Sequence, residues 1–237
     1  MRKRTLSNEG LHLYLNCMTP PKPAHWTRKI FCNLFHSDYD DRLDDVVFKC
    51  RESTKAILAE FDNPDIGERL DAGITHTIRL ILTRDNKKVK NRHIQRSFRF
   101  FLDVMRVAYE REDHQTAHMI WLSLTHPAIY NLQLKKPKWG NGLLKEIEKC
   151  YGTPLYEKHI KYWTTVRTDN PLPSLIAFHR FITRREFSGK MADAQYAREM
   201  MDIFKYLEHS ADDILPIYRQ KKLSKREMAG LSASICK

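Results

Sequence analysis

His114 and His118 stand four residues apart in "HQTAH", the spacing that lets two imidazoles on one helix face reach a single metal ion. A catalytic zinc site also needs a third ligand and a general base at set spacing, and no HExxH motif is present. The pair therefore reads as a core or surface pair rather than as ligands. Asp38 to Asp45, "DYDDRLDD", holds five aspartates in eight residues. A calcium loop of the EF-hand type needs a mid-loop glycine, and this stretch has none, so an exposed acidic face is expected. The segment 87–99 has the opposite sign, with Lys87, Lys88, Lys90, Arg92, Arg96 and Arg99. It is either a phosphate-contacting patch or a solvated face. No P-loop, GxGxxG or GxSxG occurs, and the residues imply no metal and no cofactor.

The chain has 237 residues, enough for one large domain or two small ones with a real core. Its 41 basic residues against 29 acidic ones give a net charge of +12. That balance favours acidic partners: nucleic acid, anionic lipid or an acidic protein surface. The five cysteines, Cys17, Cys32, Cys50, Cys150 and Cys236, are odd in number, scattered and without a CxxC. They read as reduced thiols of a cytoplasmic protein. No apolar run approaches the ~20 residues that span a bilayer. The basic start "MRKRTLSNEGLHLYLNC" is interrupted by Asn8 and Glu9, so no signal peptide is expected.

The elements that would position these groups are helices. Residues 1–45 read as irregular, with "TPPKPAHW" as an extended connector. From Asp45 the pattern turns helical, with Ser53 as a cap and Ile57, Leu58 and Phe61 on one face. Ile66, Leu70, Ile74, Ile78 and Ile81 follow at spacings of three and four. The strongest stripe is Phe98, Phe101, Leu102, Met105, Ala108 and Tyr109. Asp113 is placed to cap the next helix, which carries Ala117, Ile120, Trp121 and Leu124. That helix should stop before Pro127, which disfavours helical geometry at His126. Further helices cover "NGLLKEIEKCY", ended by Gly152, then "PLYEKHIKYWTTVR", "NPLPSLIAFHRFITRREF" and "MADAQYAREMMDIFKYLEHS". The tail 219–237 is basic and weakly patterned. No strand alternation or fixed repeat is evident, so the expectation is an all-α fold in a single multi-helix domain.

In their order these pieces resemble the catalytic domain of the Ras-family guanine nucleotide exchange factors. Phe101, Leu102, Glu110, Leu124, Pro127, Ala128, Ile129, Leu132, Trp139, Tyr156, Pro171, Pro173 and Leu175 fall where that family's pattern wants them. The likeness runs over roughly residues 55–215 and is most specific over 98–182. Three places depart from it. The family's Asn-Asn-Phe turn reads Glu112-Asp113-His114, the Arg after the Pro-Ala-Ile segment is Asn131, and "FSGKMADAQ" replaces an Asn-Phe signature.

The resemblance implies a domain over 46–218 with a protruding helical hairpin at 177–209. It also implies nucleotide exchange on a small Ras-like GTPase, with no covalent chemistry of its own. The hairpin's second helix would carry a carboxylate at Asp202. The apolar group one turn earlier falls in register with Arg198 or Glu199, with Met200 and Met201 the nearest apolar side chains. His76 and Thr77, in "ITHTIR", would be switch contacts or buried, hydrogen-bonded residues. Two alternatives stand beside this reading: a binding protein of the same fold without exchange activity, and, less favoured, a basic helical nucleic-acid binder. Small GTPases act on anionic membranes, where "RQKKLSKR" would add attraction. The expected site is therefore cytoplasmic and peripheral to a membrane, and the divergence suits an effector that a pathogen secretes into a host cytosol.

Overall fold

Helix α3, Asn91–Glu110, shows how the pattern becomes packing. Phe98, Phe101, Leu102, Met105 and Ala108 are buried as their spacing predicts and Tyr109 is half-buried, while Ile94, Phe100 and Val104 are buried as well. Only a narrow arginine-bearing side is left to solvent, because α3 is enclosed by neighbours on three sides. The computed structural model describes residues 32–84, 87–88, 90–152, 156–163, 171–202 and 215–233. They form an all-α domain. The helices are α1 (Cys32–Ala59), α2 (Ile66–Leu82), α3, α4 (His114–Thr125), α5 (Pro127–Tyr130), α6 (Lys138–Tyr151), α7 (Glu157–Trp163), α8 (Leu175–Phe187), α9 (Met191–Asp202), α10 (Pro216–Arg219) and α11 (Lys225–Ala233). A two-residue antiparallel ladder, Thr83–Arg84 with Lys87–Lys88, interrupts the basic connector after α2.

The first helix begins well before Asp45. α1 starts at Cys32, so residues 32–45, expected to be irregular, are helical, and Leu43, Val46 and Val47 belong to the core, while residues 1–31 lie outside the described residues. The acidic run lies on this helix, with Asp41, Asp44 and Asp45 exposed. Ser53, expected as a cap, sits buried in the middle of α1. Its Oγ accepts from the backbone N–H of Leu215 at 3.0 Å, fastening the last part of the described chain to the first helix.

α2 is the central helix: α3, α4, α5, α8, α10 and α11 all pack on it. Residues 72–78 are buried without a break, which an amphipathic helix at a surface would not allow. Gly73 makes one of these contacts possible, since a Cβ there would stand 2.5 Å from Cε1 of Tyr218. The basic tail is correspondingly not a loose end. Thr75 Oγ1 accepts from the N–H of Leu223 at 3.2 Å, Met228 is buried, and α11 rests on α2 and α5.

Ends and corners follow the sequence more closely. Asp113 caps α4, its carboxylate accepting from Thr116 N at 3.1 Å. α4 stops at Thr125, and Pro127 opens the single turn of α5 with His126 as its cap. Gly152 ends α6. Cys50 is a buried free thiol and Cys150 a half-buried one. No helix among the described residues is long and apolar enough to cross a membrane.

Candidate functional site

α8 and α9, where the sequence places its hairpin, pack on each other across the turn at Ser188–Lys190. Gly189 takes φ +73 in that turn, a conformation that costs a side-chain-bearing residue more than glycine. Along the seam Arg198 pairs with Glu186, and Arg185 lies between Glu157 and Asp193 while covering the ring of Phe181 at 5.0 Å. Inside the seam Phe178, Ile182, Ala194, Ala197 and Met201 are buried. Residues 203–209, the end of the hairpin as the sequence frames it, lie outside the described residues.

The base of the hairpin is fixed by polar contacts rather than by burial alone. Just before α8, Leu172 is bridged to the α3–α4 corner: its N–H donates to Glu112 O at 2.9 Å, and His114 N donates to Leu172 O at 3.0 Å. Ser174 caps α8 through Ala177 N at 3.1 Å, and Gln115 Oε1 accepts from Ile176 N at 3.2 Å. Two of the N–H groups that a helix start leaves open are thereby satisfied. Ser174 reaches further, with its Oγ 2.7 Å from Nδ1 of His118 and its N–H donating to Nε2 of His159 at 3.2 Å.

Those contacts belong to a buried cluster of His114, His118, His159, Tyr151 and Trp163. His118 stacks on Tyr151 with centroids 4.3 Å apart, Trp163 Nε1 donates to His159 Nε2 at 2.9 Å, and His114 Nδ1 bonds the Tyr151 hydroxyl. Because His159 Nε2 accepts from two donors, its imidazole is neutral with the proton on Nδ1. Burial alone pulls His114 from 6.5 down to about 4. Burial, reinforced by neighbouring positive charge, holds His118 and His159 well below the ordinary histidine value. Among the described residues no group of three or more His, Cys, Asp or Glu could hold a metal ion. The i, i+4 histidines are a core pair, and His118 joins α4 to the Ser174 cap of α8 while His114 bonds Tyr151 of α6.

The candidate residues fall into two groups. Asp202, exposed at the last described position of α9, and Glu199, exposed and 3.1 Å from Gln195 Nε2, lie on the surface. Arg198 is half-exposed and ion-paired. Met201 is fully buried and Met200 is 8% exposed, so the structure places both inside rather than on the surface expected of inserting groups. His76 and Thr77 are also buried. His76 Nε2 lies 2.8 Å from Lys221 O, and Thr77 Oγ1 donates to Gly73 O at 2.8 Å. These two serve the packing of the tail and of α2, not a surface.

The structure adds residues that the pattern did not single out. Phe187 is 95% exposed and Met191 60%, on the two sides of the turn, and Tyr196, farther along α9, is 50% exposed. The sequence carried a signal: Phe187 follows the charged "TRRE" and lies off the stripe of Phe178, Phe181 and Ile182. No protein-family model, no curated protein and no solved structure matches the chain.

Proposed function

We propose that the protein is a guanine nucleotide exchange factor for a small Ras-like GTPase and that the α8–α9 hairpin is the acting part. The observation that carries this is the apolar exposure of Phe187 and Met191 at the turn of two helices whose base is anchored in the core. Large apolar groups standing together in solvent mark a partner surface. A rigid base gives the hairpin the stiffness that displacing a switch loop requires. Small GTPases hold their nucleotide through phosphates, Mg²⁺ and ordered switch loops. A protein that binds the nucleotide-free form more tightly than the loaded form weakens nucleotide binding by the same factor. In this division of labour Phe187 and Met191 make the contact, and Asp202 supplies a carboxylate that competes for Mg²⁺ and repels phosphate. Met200 and Met201 hold α9 on its neighbours.

The burial of both methionines favours a second reading, a protein of the same fold that grips a GTPase without releasing its nucleotide. The two are separated by loading a panel of small GTPases with fluorescent GDP and following release with this protein added. Exchange activity predicts accelerated release from at least one member. Binding without acceleration anywhere on the panel selects the second reading, and no binding to any member removes both. Peripheral contact with an anionic membrane belongs to the same proposal.

A further inference from the structure

We propose that the basic run after α5, together with the arginine side of α3, forms a docking face for an anionic phospholipid membrane. This deepens the membrane part of the reading above by naming the surface. It rests on that reading only for the expectation that a membrane is near.

The run is held in place without its charges. Past α5 the chain turns through Gln133, at φ +47, and is extended at Pro137, with φ −63 and ψ 159. Gln95 grips the main chain of Lys135 twice, donating to its carbonyl at 2.7 Å and accepting from its N–H at 2.8 Å. Further on, the Arg106 guanidinium lies 5.3 Å from the centroid of the Trp139 ring. Gln95 and Arg106 are about 16 Å apart along the helix, and they hold the two ends of the run, Lys135 and the Trp139 of the first turn of α6. The run is therefore laid along α3 and pinned at both ends.

Arg92, Arg96 and Arg99 share one side of α3, and Lys135, Lys136 and Lys138 are exposed. The ion pairs among the described residues engage none of Arg92, Arg96, Lys135, Lys136 and Lys138. The sequence has no Asp or Glu between Asn86 and Leu102, nor between His114 and Lys145. Asp103 and Glu110 lie farther along the arginine side, and Arg106 takes up Glu110 at 3.6 Å. Backbone hydrogen bonds and a ring contact thus hold like charges side by side, and an anionic surface relieves their repulsion.

Charge alone fits any polyanion; the adjoining groove narrows the choice. It holds about 1250 Å³ over an apolar floor of Leu124, Ile129, Leu134 and Leu144 with the rings of Phe98 and Trp121, and has Lys136 and Lys145 at its margin and Glu148 as its one acid. Tyr130 is 65% exposed beside it, with the Lys136 ammonium 5.9 Å from its ring centroid. Cations above an apolar trough with an aromatic at the rim match a phospholipid, with its headgroup at the lysines and its apolar part in the trough. A nucleic-acid backbone would satisfy the cations and leave the four aliphatic side chains of the floor without a partner, and Phe98, buried, offers no open face for a base to stack on.

The test is co-sedimentation of the full chain with vesicles of phosphatidylcholine alone or with about 30 mol% phosphatidylserine, at about 0.1 M salt. Phosphatidylserine should raise binding. Lys135→Glu with Lys136→Glu should lower it roughly 25-fold or more, at about fivefold per charge. Arg42→Glu with Lys158→Glu makes the same change in net charge at exposed residues that do not line the groove and should stay near wild type. Tyr130→Ala, at an exposed position, should weaken binding several-fold without touching charge. Equal binding to both vesicle types overturns the proposal. So does an equal loss in the two charge-reversed variants, or a single-stranded oligonucleotide bound while the phosphatidylserine vesicles are ignored. No GTPase is present, so a failure here leaves the exchange reading to its own assay.

Discussion

His114 is held neutral by burial, and acid should therefore destabilise the protein by an amount that can be worked out. Its value falls from 6.5 to about 4 on folding. Near pH 5 almost every unfolded chain carries a proton on this residue, while only about one folded chain in ten does. Protonation then favours the unfolded chain by about 2 kcal/mol relative to neutral pH, approaching about 3.4 kcal/mol below the folded value. The sign follows from the depressed value: stability is complete above 6.5 and is lost as the pH falls through 6.5 toward 4. His118 and His159, lowered by burial, add loss in the same direction. Asp113 works the other way. Burial raises its carboxyl, so the folded chain holds that proton to higher pH and gains from acid within that window. Replacing His114 by Phe keeps the volume among the surrounding rings and removes the titration, at a pH-independent cost of about 1 kcal/mol for the lost bond to the Tyr151 hydroxyl. Urea unfolding of both proteins from about pH 8 to about pH 5 gives the comparison. The wild type should lose about 2 kcal/mol more than His114→Phe over this span. Equal losses would mean that His114 is not shielded from water in the folded protein, and the buried-cluster account of the hairpin base would fail with it.

Three further outcomes follow from particular contacts. Glu112 takes φ +57 at the α3–α4 corner, a left-handed conformation that Asn tolerates better, so Glu112→Asn should raise stability by about 0.5 kcal/mol in urea titrations. Gln115 joins Ile176 N to the Tyr218 hydroxyl, the latter at 3.4 Å, and Gln115→Ala should cost about 2 kcal/mol by the same measurement. Phe187→Ala with Met191→Ala removes exposed side chains, so it should change the unfolding free energy by no more than about 0.5 kcal/mol while weakening GTPase binding tenfold or more.

The sequence shows the fold better than the site because the two depend on different information. The stripe of α3 and the cap at Asp113 are local, set by residues within one or two turns, and both read correctly. Ser53 looked like a cap because its short-range context is a cap's, yet its partner is Leu215, 162 residues away. The start of α1 was hidden by an acidic run that is poor in apolar residues, although its Leu43 is in the core and its Asp41, Asp44 and Asp45 are exposed. His76 and Thr77 look like surface polar groups, and only the packing of five other helices and the tail around α2 makes them interior. Their own hydrogen bonds, to Lys221 O and Gly73 O, make that burial tolerable. The same lack of tertiary information applies to Met200 and Met201, which lie close to the register the resemblance suggests while their side chains face the core. Phe187 was legible in principle, as an aromatic off its helix's apolar stripe beside a Ser-Gly turn.

The most direct test of exchange activity is thermodynamic. A GTPase that responds in the release panel should be offered to this protein in two forms, nucleotide-free and loaded with GDP and Mg²⁺, with affinity for each measured by calorimetry. Linkage requires that the affinity ratio equal the factor by which the protein weakens nucleotide binding. The account predicts much tighter binding of the nucleotide-free form, and a smaller ratio for Asp202→Ala. Equal affinity for the two forms would contradict it, because a ligand that does not distinguish two states cannot shift the balance between them.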